Sequence, residues 1–196
     1  FGIKYFQPAP YNETLWIATN GNGLWRYQNS NVKVYNTENG LPTDHIRSLY
    51  IKQNANTNAY TLWIGSQDVG LIRLEVLNNV PNLETVTTYS TSEGLADHTI
   101  HVMIEDDQGN LWMNANQGIF SVSTQQLEDF HSGIINKIEG VRYTEVDGLS
   151  NREGNGGVQP AGIKASDGRI WMASQEGVVV FHPKNLINNT PPAVVI

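Results

Sequence analysis

The 196-residue chain has no cysteine, so it holds neither a disulfide framework nor a thiolate metal site, and its redox compartment is left open. Charged residues make up only 16% of it, and 12 Lys and Arg against 19 Asp and Glu leave a net charge of −7. No basic run interrupts this acidity. Binding to nucleic acid depends on cations that neutralise phosphates, so a nucleic-acid partner is not expected. No apolar run reaches the roughly 18 residues of a membrane-spanning helix, and no signal peptide is visible. The short motifs of nucleophilic or metal catalysis are also missing: there is no Gly-x-Ser-x-Gly, no phosphate loop, and no HxH or HExxH pair. Glycine is plentiful at 18 residues, and Asn, Thr and Ser are common, a profile that suits a turn-rich all-β protein.

A repeat dominates what is present. The segments LWIATNGNGLWRY (Leu15 to Tyr27), LWIGSQDVGLIRL (Leu62 to Leu74), LWMNANQGIFSV (Leu111 to Val122) and IWMASQEGVVVF (Ile170 to Phe181) each set a tryptophan strand before a glycine and a second strand. Trp16, Trp63, Trp112 and Trp171 recur at spacings of 47, 49 and 59 residues, close to the roughly 40 to 50 residues of one four-stranded propeller blade. A second marker, the pairs Gly40-Leu41, Gly94-Leu95 and Gly148-Leu149, recurs every 54 residues in the same order.

One unit yields four strand candidates: Ile46 to Lys52, Thr61 to Ser66, Leu71 to Val76 and Glu84 to Tyr89, here called a to d from inner to outer. Period-two alternation bounded by Gly, Asn, Asp and Pro predicts an antiparallel meander. The fold class is therefore all-β, with blades at 1–37, 38–91, 92–145 and 146–183, the last without an obvious strand d. Four blades stand at the bottom of the usual range of about 4 to 8. A ring of about seven would need on the order of 350 residues, so the expectation is a set of C-terminal blades from a larger propeller. Pro191-Pro192 favours an extended exit, which makes 184–196 a linker toward a following domain.

Glu93-Gly94-Leu95, Ile104-Glu105-Asp106, Gly109-Asn110-Leu111-Trp112 and Gly118-Ile119 together resemble the two-component-regulator propeller repeat of the extracytoplasmic sensor regions of bacterial hybrid histidine kinases. The fourth unit, with Asp147-Gly148-Leu149, Asp167-Gly168-Arg169-Ile170, Gly177, Phe181 and Pro183, resembles the last blade before the small β-sandwich of such sensors. Departures are the missing Asp-x-x-Gly turns before Trp16 and Trp63, and Met113 and Met172 where Ile is usual. The resemblance implies a periplasmic ligand sensor without catalysis in the propeller, often for oligosaccharides, signalling by a change of domain or subunit geometry. No cofactor is implied.

In a meander the d-to-a connections and b-to-c turns emerge at one edge. That edge gathers the candidate ligand-binding residues Asp44, His45, Asp97, His98, Asn151, Arg152, Glu153 and Asn155 near the axis, with Asn20, Asn22, Gln67, Asp68, Asn116, Gln117, Gln175 and Glu176 farther out. Amides and carboxylates with an arginine suit a hydroxyl-rich ligand, although the same residues are also good turn formers. The repeated tryptophans fit inter-blade packing better than sugar stacking, and Asp106, Asp107 and Asn110 fit a hairpin better than a calcium loop. Two alternatives stay open: a propeller glycosidase or lyase using Asp44, Asp97 and Glu153, and a purely structural or dimerising module whose exposed blade faces need a partner. Partners on these readings are an oligosaccharide or small polar ligand, the remaining blades, and a second copy of the chain.

Overall fold

Four antiparallel meanders follow one another along the chain. A computed structural model describes residues 2–10, 13–54, 58–143, 153–157 and 159–186. The first sheet is formed by β1 (Gly2–Pro8), β2 (Leu15–Asn20), β3 (Leu24–Gln28) and β4 (Asn31–Tyr35). The second holds β5 (Ile46–Gln53), β6 (Ala59–Ser66), β7 (Leu71–Leu77) and β8 (Val80–Tyr89). The third holds β9 (Val102–Glu105), β10 (Asn110–Ala115), β11 (Gly118–Ser123) and β12 (Val141–Tyr143), with helix α1 (Thr124–His131) between the last two. The fourth comprises β13 (Gly162–Lys164), β14 (Ile170–Ser174) and β15 (Gly177–Phe181). Strands are hydrogen-bonded in chain order in every sheet. The inner strands β1, β5, β9 and β13 neighbour one another in that order, which makes the sheets blades of a β-propeller. No comparable contact joins β13 to β1 among the described residues. Gly148-Leu149 of the third marker, and all of 184–196 beyond Leu186, lie outside the described residues.

The apolar clusters lie between blades. Trp16 packs with Tyr35 of its own blade and with Tyr60, Leu62, Ile64, Ile72 and Leu74 of the second. Trp63 packs with Tyr89 and with Met103, Leu111, Met113, Phe120 and Val122 of the third. Trp112 packs with Val102, Ile104 and Tyr143 and with Ile170, Met172 and Val179 of the fourth. Strand alternation explains the arrangement: the tryptophan face of each blade meets the opposite face of the next, and both must be apolar. Trp16, Trp63 and Trp112 are at most 3% exposed. Trp171 differs. It is half-buried beneath the Arg169 guanidinium at 5.6 Å, and its cross-strand neighbours Ile163 and Val180 are 52% and 40% exposed.

The Gly-Leu marker proves to be one turn built twice. The residue before the glycine folds back onto a backbone N–H three positions earlier: Asn39 Oδ1 accepts from Asn36 N at 2.9 Å, and Glu93 Oε2 from Ser90 N at 2.8 Å. The glycines follow with φ of 109° at Gly40 and 106° at Gly94, which other residues adopt only under strain. Leu41 and Leu95 then enter the seams, 3% and 4% exposed.

Two elements depart from expectation. Strand d of the second blade begins at Val80, four residues before the expected Glu84, because Asn78 and Asn79 form a two-residue hairpin turn with φ of 52° and 61°. Asparagine tolerates this left-handed pair better than most residues. Helix α1 was not anticipated; Ser123 Oγ caps it by accepting from Gln125 N at 3.2 Å, and Leu127 buries its inner face.

Candidate functional site

Each d-to-a loop is wedged between two b-to-c turns. Asp44 O accepts from Gly21 N at 2.9 Å and Gly23 N at 3.0 Å in the first blade, while His45 O accepts from Gln67 N at 3.0 Å in the second. In the next loop His98 O accepts from Gly70 N at 2.9 Å, and His101 N donates to Asn114 O at 2.8 Å. In the third loop Gly154 N donates to Ala115 O at 2.9 Å, and Asn155 N to Ala173 O at 3.0 Å. Backbone bonding of this kind fixes the loops and leaves side chains on the axial face.

The anticipated residues take different stations there. His45 and His98 are exposed; His45 Nδ1 meets Asn20 Oδ1 at 3.0 Å, and His98 Nε2 meets Thr91 Oγ1 at 3.0 Å. The Asp44 carboxylate accepts from Thr37 N at 2.8 Å and Thr37 Oγ1 at 3.1 Å. Asp97 is 7% exposed, and its two oxygens accept from Thr99 N and Gln117 N, each at 3.0 Å. Glu153 is exposed and Gln175 Nε2 reaches its Oε1 at 3.4 Å. Asn155 Oδ1 accepts from Gly157 N at 2.9 Å. Asn151 and Arg152 lie outside the described residues. Gln67, Asn116, Gln117, Gln175 and Glu176 stand exposed on the same face.

The hydrogen bonds agree with the register that the Gly-Leu marker sets. Thr43 Oγ1 accepts from His45 N at 3.0 Å as Asp97 Oδ1 accepts from Thr99 N. Asp97 is therefore the counterpart of Thr43, and His98 of Asp44; the two Asp-His pairs stand one residue out of phase.

His101, which sequence reasoning passed over, sits at the inner end of this face. It is 6% exposed, Nε2 meets Asn116 Oδ1 at 2.9 Å, and Nδ1 has no protein partner. Burial holds its pKa below the ordinary histidine value; the Asn116 bond and the charges of Asp97 and Glu153 oppose this, while Arg47 reinforces it. A neutral ring that donates from Nε2 leaves Nδ1 as a bare acceptor. Gly156 presses against the ring, where a Cβ would stand 2.5 Å from Nδ1. The glycines at 154, 156 and 157 were the available signal, since close backbone approach requires them. Among the described residues no three His, Asp or Glu side chains group as metal ligands, and no helix is long and apolar enough to cross a membrane.

No family model and no curated protein matches the chain. Solved structures do. The extracellular domain of BT4673 from B. thetaiotaomicron, described as a one-component system in one structure and as a hybrid two-component system in another, superposes with TM-scores of 0.66 and 0.65. Identities are 19% and 20% over 94% of this chain. PorZ, a surface component of the type-IX secretion system of Porphyromonas gingivalis, gives a TM-score of 0.58 at 16% identity over 92% of this chain. The chain spans only 23% to 26% of the length of these proteins. The chain is thus a four-blade β-propeller arrangement whose fold superposes on part of each of these structures.

Proposed function

We propose that the chain is part of the extracytoplasmic propeller of a two-component sensor, non-catalytic in itself, whose axial face binds an oligosaccharide or another small hydroxyl-rich ligand. On this reading the blade units divide at 37/38, 91/92 and 145/146, residues 184–196 lead out of the propeller, and ligand binding alters the geometry of neighbouring domains or subunits. The supporting observation is the axial face itself. Exposed histidine, amide and carboxylate groups from three consecutive loops stand on backbone that is pinned on both sides, so their hydrogen-bonding directions are set before a ligand arrives. Similarity in fold to the BT4673 extracellular domain supports the sensor role. The absence of catalysis is supported by Asp44 and Asp97, whose oxygens are already engaged by Thr37, Thr99 and Gln117. Paired-carboxylate hydrolysis needs two such groups facing the scissile bond.

Thermal melting with an oligosaccharide panel tests this reading. A bound sugar at one hundred times its Kd adds about 2.7 kcal/mol, and Gln117→Ala together with His45→Ala should reduce the response while leaving the ligand-free Tm nearly unchanged. A panel without any response, or release of a cleaved product, would overturn it.

A further inference from the structure

The three seams are not filled alike. In the first two blades the strand-c residue paired with the seam tryptophan is an arginine: Trp16 stands opposite Arg26 and Trp63 opposite Arg73. Each arginine crosses to the segment that follows strand c of the next blade. Arg26 Nη1 donates to Asn79 O, and Arg73 Nε donates to both Glu128 oxygens at 3.1 Å. In the third blade the residue paired with Trp112 is Ser121. A cavity of about 400 Å³ opens at that place, between Ser121 and the segment that follows strand c of the fourth blade. Trp112, Gln126, Glu139, Tyr143 and Lys184 line it together with Ser121.

We propose that this cavity is a binding site for a small guanidino amino acid, whose guanidinium takes the position that Arg26 and Arg73 fill in the other seams. The volume falls within the range of about 300 to 1,000 Å³ usual for small-molecule sites. The protein itself shows which group suits the space, because a planar guanidinium bridges the same inter-blade gap twice. The charged residues of the lining are one carboxylate, Glu139, and one ammonium, Lys184, both exposed. A guanidinium matches the first through parallel N–H donors. Lys184 disfavours a bare cation and favours a ligand that also carries a carboxylate. Free arginine satisfies both, and this site is separate from the axial face.

Calorimetric titration of the 196-residue chain with L-arginine tests the proposal, with L-citrulline as the uncharged isostere and agmatine as the analogue without a carboxylate. Arginine should bind saturably with one site, and citrulline and agmatine each about tenfold more weakly or worse, the factor that loss of one charge-assisted hydrogen bond implies. Ser121→Arg should abolish binding by occupying the cavity from within. Glu139→Gln, an exposed change without consequence for folding, should weaken arginine about tenfold and leave citrulline unaffected; it carries the test if Ser121→Arg does not fold. Equal affinity for arginine and citrulline, no binding of arginine, or undiminished binding to a folded Ser121→Arg protein would overturn the proposal.

Discussion

At the scale of single residues, burial sets how His101 takes up a proton. His101 is kept neutral by burial, so on acidification the unfolded chain takes up a proton near its ordinary pKa of 6.5 while the folded chain resists. Stability associated with His101 is therefore present above that pH and lost as the pH falls below it. The Tm of the native chain should drop more steeply between about pH 7 and pH 5 than that of His101→Asn, whose overall Tm is lower but whose acid slope is flatter. Parallel curves would remove this role. Asp97, Glu153 and Arg47 are the charged groups around the ring, and the first two limit the depression. Tyr60 illustrates the same balance in the first seam, its hydroxyl accepting from Trp16 Nε1 and donating to Asn79 Oδ1, each at 2.8 Å, with burial pushing its pKa up to about 12. None of this was legible from spacing. The offset between Asp44-His45 and Asp97-His98, by contrast, could be counted from Gly40 and Gly94, and the bonds that Thr43 and Asp97 accept from the backbone two residues onward agree with it.

Among the elements, legibility follows from what each must satisfy. The tryptophan strands were evident because every seam needs one, and their glycine partners because the turns need positive φ. Helix α1 was hidden, since a connection between strands c and d can take many forms and in the third blade it holds a capped α-helix. The helix has a clear physical role. Glu128 on it accepts from Arg73, which is only 6% exposed, and Tyr89 donates to Leu127 O at 2.8 Å. Glu128→Ala should cost about 3 kcal/mol by leaving a buried guanidinium unpaired, whereas Arg73→Met, which replaces the ion by apolar volume, should cost far less. Denaturant unfolding of the two variants checks the asymmetry, and equal losses would show that the pair acts by direct attraction instead. The contrast between Arg26, Arg73 and Ser121 was written in the sequence too, but it emerges only once strand pairing sets each residue against its tryptophan.

For the whole molecule, the sequence foretold the all-β architecture and its four tryptophan-bearing units, because the packing that unites blades is strictly between neighbours. It also foretold exposed blade faces, though not the residues that form them. On the fourth blade Ile163, Val178 and Val180 are 52%, 59% and 40% exposed around Trp171. On the first blade Tyr27, Val32 and Val34 are 40%, 50% and 36% exposed beside the half-buried Trp25. The two surfaces are unlike: the first has the character of a tryptophan-bearing seam face, the second of the face that receives one. Light scattering should therefore show the isolated chain growing in mass with concentration, and Ile163→Lys with Val178→Lys should suppress that growth while the blades stay folded, as judged by circular dichroism. A mass independent of concentration would mean that these faces do not adhere.

Unlike ends also give the arc of blades a direction, like a segment of pipe with a spigot and a socket. Such pieces join only in one sense, so joining by itself never produces a mirror pair with both sockets used at once. Either the curvature brings the last spigot round to the first socket, or the string goes on growing.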